Sequence, residues 1–266
     1  MNTSTASTCA TYWWRRPDGL LNFGDDLTPF LIEELFPNLT PHWADVENAD
    51  LVGIGSVLQQ FKQPRRTPLE CWGAGYIAAD SWAMHDRTRF HAVRGELTLA
   101  KLQPAQQRGV VLGDPGLLMG LLFNANEIET DYELGVIPHY VDAGLPAVSE
   151  LRSSAHVSVI DVAAPVEDVV RSIARCRRVI SSSLHGLVVS DALRIPNLWV
   201  KLSNDVAGDG FKFADYYSAL GREAHAIPIA PTPGLVQLID ERYRPIDALE
   251  EMQTALLGAF PREVAH

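Results

Sequence analysis

The sequence predicts an α/β fold of two β/α domains, and three observations carry that prediction. Short apolar runs alternate with amphipathic ones almost throughout, the pattern of β-α units on parallel sheets covered on both faces. Several runs end in glycine, with Gly53 and Gly55 after one and Gly73 and Gly75 after another. Glycine at a strand end lets backbone approach backbone or ligand closely. The 266 residues are 47% hydrophobic and 21% charged with a mean hydropathy of -0.01, enough for one large or two compact soluble domains.

In chain order, Tyr12 to Trp14 reads as a first strand. Asp25 to Phe36 reads as a helix whose early acids suit its positive N-terminal dipole. Leu51 to Ile54, Leu69 to Trp72, His91 to Val93 and Val110 to Leu112 read as further strands. The polar stretch Asn124 to Glu127 is the candidate linker, giving domains at 1–125 and 126–266. Beyond it, Leu134 to Ile137, His156 to Ile160, Arg178 to Ser181 and Asn197 to Leu202 read as strands. Pro165 to Cys176 is a helix by pattern, with proline in its first turn, Glu167 and Asp168 behind it, and Val166, Val169, Val170 and Ile173 on one face. Thr232 to Leu257 reads as two helices, the last able to pack back on the first domain.

Charge and cysteine usage exclude several function classes. Net charge is -11 and no local basic face stands out, so no nucleic-acid partner is expected. The three cysteines are Cys9, Cys71 and Cys176, odd in number and far apart, which argues against a disulfide framework and for a reducing, cytoplasmic setting. Met1 to Thr11 shows no leader pattern, and no apolar run reaches the roughly 18 residues of a membrane span, so no transmembrane segment is expected. No cluster has metal-ligand spacing, so neither a metal nor a cofactor is expected.

Chemistry in such folds lies just beyond the carboxyl ends of strands. Five segments qualify. Asn22-Phe23-Gly24-Asp25 enters a helix, with an N-cap aspartate as the plain structural alternative. Ala92-Val93-Arg94-Gly95 ends an apolar strand in a cation that surface solvation would also explain. Gly113-Asp114-Pro115-Gly116 is by itself a turn signal. Ile137-Pro138-His139-Tyr140 puts a histidine at a strand end, where structural histidines are common. The segment from Val179 through Ser181, Ser182, Ser183, Leu184, His185 and Gly186 feeds hydroxyls and an imidazole into a helix start, whose N–H groups and dipole suit an anion. Phosphate-loop, HExxH, GxSxG and GxGxxG motifs are absent, and Ser183 and His185 are too close along the turn to face each other as a nucleophilic dyad.

These segments together resemble the polysaccharide pyruvyl transferase family, in particular the ketal-pyruvate transferases of bacterial exopolysaccharide assembly. The residues carrying the resemblance are NFGDDLTPF at 22–30, AVRGELT at 92–98, GDPGLLM at 113–119, GVIPHYVD at 135–142, SSSLHGLVVSDALRIP at 181–196 and KFADYYSALG at 212–221. Many relatives carry arginine two residues before the histidine, where this chain has Ser183, leaving Arg94, Lys212 and Lys201 as candidate cations for the donor phosphate.

The resemblance implies a GT-B-like fold, two Rossmann-like domains with an interdomain cleft, the first on the acceptor side and the second on the donor side. It implies phosphoenolpyruvate as donor and a hexose hydroxyl pair, commonly O4 and O6, on a lipid-linked oligosaccharide at the inner membrane surface as acceptor. Phosphoenolpyruvate becomes electrophilic at C2 only when C3 takes a proton, and closing the ketal then needs a base near the acceptor. His185 is assigned as acid or phosphate partner and Asp25 as acceptor-side base. Ser182, Ser183, Leu184, Gly186, Arg94, Lys212 and His139 are assigned to the donor, and Asn22, Gly24 and Asp114 to the acceptor. Two rival readings stand beside this one: a nucleotide-sugar glycosyltransferase of the same architecture, and a non-catalytic glycan-binding protein.

Overall fold

The computed structural model describes residues 7–229 and 232–264. Two all-parallel sheets organise them. The first is built from β1 (Ser7–Tyr12), β2 (Leu39–Trp43), β3 (Leu51–Val52), β4 (Leu69–Trp72), β5 (Thr88–Val93) and β6 (Val111–Leu112), in the order β2-β1-β3-β4-β5-β6. The second holds β7 (Leu134–Ile137), β8 (Val157–Val159), β9 (Val179–Ser181) and β10 (Asn197–Trp199), in the order β10-β9-β7-β8. In each sheet the order reverses beside the first strand, between β1 and β3 and between β7 and β9, and such reversals open a crevice at the carboxyl edge.

The helices follow from apolar spacing. In α1 (Phe23–Leu35), Phe23, Leu27 and Leu31 repeat every four residues and are wholly buried. Two short helices follow, α2 (Glu96–Leu99) and α3 (Met119–Leu122), then α4 (Pro146–Arg152). In α5 (Val166–Ala174) the expected face of Val166, Val169, Val170 and Ile173 is buried. Every residue of α6 (Leu184–Ala192) is buried, its polar residues His185, Ser190 and Asp191 included. The remaining helices are α7 (Phe211–Ala219), α8 (Thr232–Arg242) and α9 (Leu249–Gly258). Phe23, Leu31, Val170 and Leu187 share one core, so α1 of the first sheet is locked against α5 and α6 of the second. The Trp72 indole donates 2.8 Å to the Leu256 carbonyl, which ties α9 back to the first sheet.

Several elements differ from expectation. The first strand ends at Tyr12 rather than starting there, because Ser7 to Thr11 pair with Leu39 to Trp43 despite their small polar side chains. That partner strand carries Pro41, which an edge strand tolerates, and its weak pattern hid it from the sequence. The candidate linker Asn124 to Glu127 lies between the last strand of the first sheet and the first strand of the second and forms a 3-10 turn capped by the Asn124 side chain. The three cysteines are free and buried, and burial pushes the Cys71 thiol up to about 12. Among the described residues no helix is long and apolar enough to cross a membrane.

Candidate active site

Loops from both reversal points meet in a cleft of about 390 Å³. Trp14, Asn22 and Asp25 reach it from the β1–α1 connection and Ser56 from the loop after β3. His139 and Tyr140 follow β7, Ser183 and His185 follow β9, and Lys212 starts α7.

The floor is held by close approach. Gly24 lies against the His185 ring so tightly that a Cβ would stand 2.0 Å from Nδ1. Gly55, at φ +120°, leaves room for Asp25, whose Oδ1 would be 2.5 Å from a Cβ there. On its other side His185 faces Asp114: Nε2 lies 3.5 Å from the Asp114 carboxylate, which is wholly buried and whose other oxygen accepts 2.9 Å from Gly116 N–H. Neither Nε2 nor the facing Asp114 Oδ2 has a hydrogen-bond partner among the described residues, so the two buried atoms face each other as a close polar pair rather than a hydrogen bond. Asp25 sits in the first turn of α1, hydrogen bonded by the Asn22 carboxamide, while Asn22 itself occupies the N-cap position.

Burial dominates the electrostatics. It pushes the Asp25 carboxyl up to about 7 against the pull of His185 and Lys212. It pushes the Lys212 ammonium down to about 8, helped by Arg94 and opposed by Asp25 and Asp142. It lowers His139 to about 3, with Lys212 adding to the effect, so His139 is a neutral imidazole at neutral pH. Lys212 is 7% exposed and, among the described residues, makes no hydrogen bond and no ion pair within 4 Å. A buried ammonium at the first turn of a helix is unfavourable on its own, since both desolvation and the dipole oppose it.

The structure thus gathers Asn22, Asp25, His139, Ser183, Leu184, His185 and Lys212 along the cleft and sets the other expected residues behind it. Ser182 accepts from His139 N–H at 2.9 Å and donates to Asp142 at 2.6 Å, holding the histidine loop. Gly186 packs on Ser181 Oγ and Ile137 inside α6. Lys201 is half exposed and pairs with Asp209 at 3.6 Å. Arg94 departs most from expectation. It is wholly buried, each of its guanidinium nitrogens is engaged, by Asp215, Ser56 Oγ and the Tyr76 carbonyl, and it does not line the cleft.

Asp142 and Asp215 went unremarked in the sequence, although both lie inside motif segments, in GVIPHYVD and KFADYYSALG. An acid inside an otherwise apolar or aromatic run was the available signal. Among the described residues no group of three His, Cys, Asp or Glu could hold a metal ion.

Fold and site together define a two-sheet α/β protein whose cleft joins both topological reversal points and is floored by Asp25, His185 and an unpaired Lys212. The chain belongs to the polysaccharide pyruvyl transferase family, which matches residues 11–204. It is 30% identical over 212 residues to the succinoglycan biosynthesis protein ExoV of Rhizobium meliloti (strain 1021), covering 79% of this chain and 64% of that relative. It is 36% identical over 232 residues to protein L143 of Acanthamoeba polyphaga mimivirus, covering 76% of this chain and 72% of that protein. The chain therefore spans a little under two thirds of the length of ExoV.

Proposed function

We propose that this chain transfers pyruvate from phosphoenolpyruvate to a hexose of an exopolysaccharide, forming a cyclic ketal across two sugar hydroxyls. Family membership and the likeness to a succinoglycan biosynthesis protein support the class of reaction. The buried, unpaired Lys212 carries the donor assignment, because a dianionic phosphate or a carboxylate supplies the partner that the ammonium lacks. The first N–H groups of α6 and the Ser183 hydroxyl, which caps nothing, lie on the same wall and add donors.

In this reading the two domains act as a GT-B-like pair, with donor on the second and acceptor on the first. His185, facing Asp114, protonates C3 of the donor, and one sugar hydroxyl bonds to C2 as its proton passes to Asp25. The second hydroxyl then displaces phosphate from C2, and its proton leaves with the phosphate. The two hydroxyl protons balance the one gained by the methyl carbon and the one carried off by phosphate. A carboxyl poised at about 7 is suited to moving a proton in either direction near neutral pH. The natural acceptor we assign is a lipid-linked repeat unit met at a membrane surface.

The test is incubation with phosphoenolpyruvate and lipid-linked oligosaccharide extract, with mass spectrometry for the pyruvate ketal and an assay for released phosphate. Ketal and phosphate in equal amounts are expected, and turnover should survive a chelator. A thermal shift from UDP-sugars with none from millimolar phosphoenolpyruvate would overturn the proposal in favour of a glycosyltransferase.

A further inference from the structure

Above the charged floor, one wall of the cleft is aromatic. His139 and Tyr140 have ring centroids 4.4 Å apart, and Tyr140 and Trp14 lie 6.1 Å apart with planes 23° from parallel. The Arg16 guanidinium lies 4.5 Å from the centre of the Tyr140 ring and is itself held by Asp18 at 2.9 Å from Nε. Tyr140 is therefore gripped by three neighbours, whereas Trp14 has Tyr140 as its one ring neighbour among the described residues.

The polar atoms on this wall are also unspent. The more buried indoles use their N–H groups, Trp13 on Asp26 and Trp72 on the Leu256 carbonyl, and so does Trp43 on the Trp13 carbonyl, whereas those of Trp82 and Trp199, like that of Trp14, make no hydrogen bond among the described residues. The Trp14 indole N–H, the Tyr140 hydroxyl and the Gln60 carboxamide line the same cleft and make no hydrogen bond among the described residues. Packing alone does not call for a half-buried indole and a phenol stacked at the mouth of a polar cleft with their hydrogen-bonding atoms unused.

We infer that Trp14, buttressed by Tyr140 and Arg16, is the platform that receives the acceptor sugar, stacking on the apolar C–H face of a hexopyranose while the indole N–H, the Tyr140 hydroxyl and Gln60 take its hydroxyl rim. A pyranose has that division into an apolar face and a polar edge, and an aromatic ring with a donor at its border complements both. The platform lies on the same cleft as Asp25, so a sugar seated there is in place to offer a hydroxyl to that carboxylate. The inference rests on the proposed function for the identity of the sugar as acceptor, and on the wall alone for its being a sugar site.

The experiment therefore reads binding and turnover separately. Methyl β-glucoside, methyl β-galactoside, cellobiose and lactose are titrated against the wild type, Trp14→Ala, Trp14→Phe and Tyr140→Phe, following tryptophan fluorescence and heat of binding. Circular dichroism monitors the fold. Saturable binding of at least one probe is expected, weakened on the order of tenfold in Trp14→Ala and largely kept in Trp14→Phe, with the phosphoenolpyruvate thermal shift unchanged in all variants. In turnover, Trp14→Ala should raise KM for the acceptor more than it lowers kcat. If no probe binds the wild type, or if folded Trp14→Ala and Trp14→Phe both bind as the wild type does, the platform is overturned. Should sugars bind through Trp14 while no pyruvate is ever transferred, the reaction assignment fails and the sugar site stands.

Discussion

Two buried cations, Arg94 after β5 and Lys212 at the start of α7, behave in opposite ways. Asp215 lies one turn after Lys212 on α7, and its carboxylate is saturated: Arg94 Nε donates at 2.9 Å, Thr98 N–H at 2.8 Å and Thr98 Oγ1 at 2.6 Å. Arg94 in turn donates to Ser56 Oγ and the Tyr76 carbonyl, each at 2.6 Å. Lys212 is desolvated too, but it makes no hydrogen bond and no ion pair within 4 Å among the described residues, only the longer-range pull of Asp25 and Asp142 and a ring contact of 5.5 Å with Phe213. Arg94, engaged at every nitrogen and away from the cleft, belongs to the scaffold, and Lys212, which lines the cleft, is the cation that the proposed function assigns to the donor. Arg94 and Lys212 both lie in motif segments, and their place relative to the cleft separates them.

The largest effect expected from this contrast is on stability, at Arg94. Arg94→Met strands the Asp215 carboxylate among buried groups and should cost about 3–5 kcal/mol, measured by denaturant unfolding, since removing one partner of a buried pair leaves the other uncompensated. A loss below about 1 kcal/mol would show that the pair is not what ties α7 to the first sheet.

His185→Ala comes next. Loss of an acid or charged hydrogen-bond donor should lower kcat/KM on the order of 10²-fold while circular dichroism stays native. A folded variant with near-native turnover would remove His185 from the chemistry.

The pH dependence sharpens the comparison further. Asp25 must lose its proton to act as base and Lys212 must keep its own to hold an anion, so kcat/KM should rise through about 7 and fall through about 8. Asp25→Asn should abolish most of the activity. Between its ordinary carboxyl value and about 7 the folded chain holds a proton on Asp25 that the unfolded chain releases, so stability declines as pH rises across that window. Asp25→Asn removes the decline, and its melting temperature should exceed the wild type's at pH 8 and approach it near pH 4. An equal difference at both pH values would contradict a raised carboxyl. The smallest effect is expected at His139→Ala, under about tenfold in kcat/KM, because a neutral imidazole at about 3 lends no charge to the donor.

The parallel α/β class was legible because buried strands and one-faced helices leave periods that a single sequence displays, as Val166, Val169, Val170 and Ile173 did for α5. β2 was not, since an edge strand reading Leu-Thr-Pro-His-Trp needs little apolar pattern once β1 offers it a parallel partner. At the site, residues that follow strands in sequence were easily placed near the cleft. Which of them face it was hidden, because that depends on partners far along the chain: Asp215 lies 121 residues from Arg94 and Ser182 lies 40 from Asp142. Trp14 fell within an expected strand and so drew no attention as a wall of the cleft, although the strand in fact stops at Tyr12.

The central claim, that Lys212 is buried and unpaired in order to meet the donor, is tested most directly by Lys212→Met. Melting temperature with and without millimolar phosphoenolpyruvate is measured alongside kcat/KM for phosphate release. The account predicts an unliganded melting temperature equal to or above the wild type's, loss of the phosphoenolpyruvate shift, and a fall in kcat/KM on the order of 10²–10³-fold. A stable Lys212→Met protein that keeps both the shift and the turnover would contradict it.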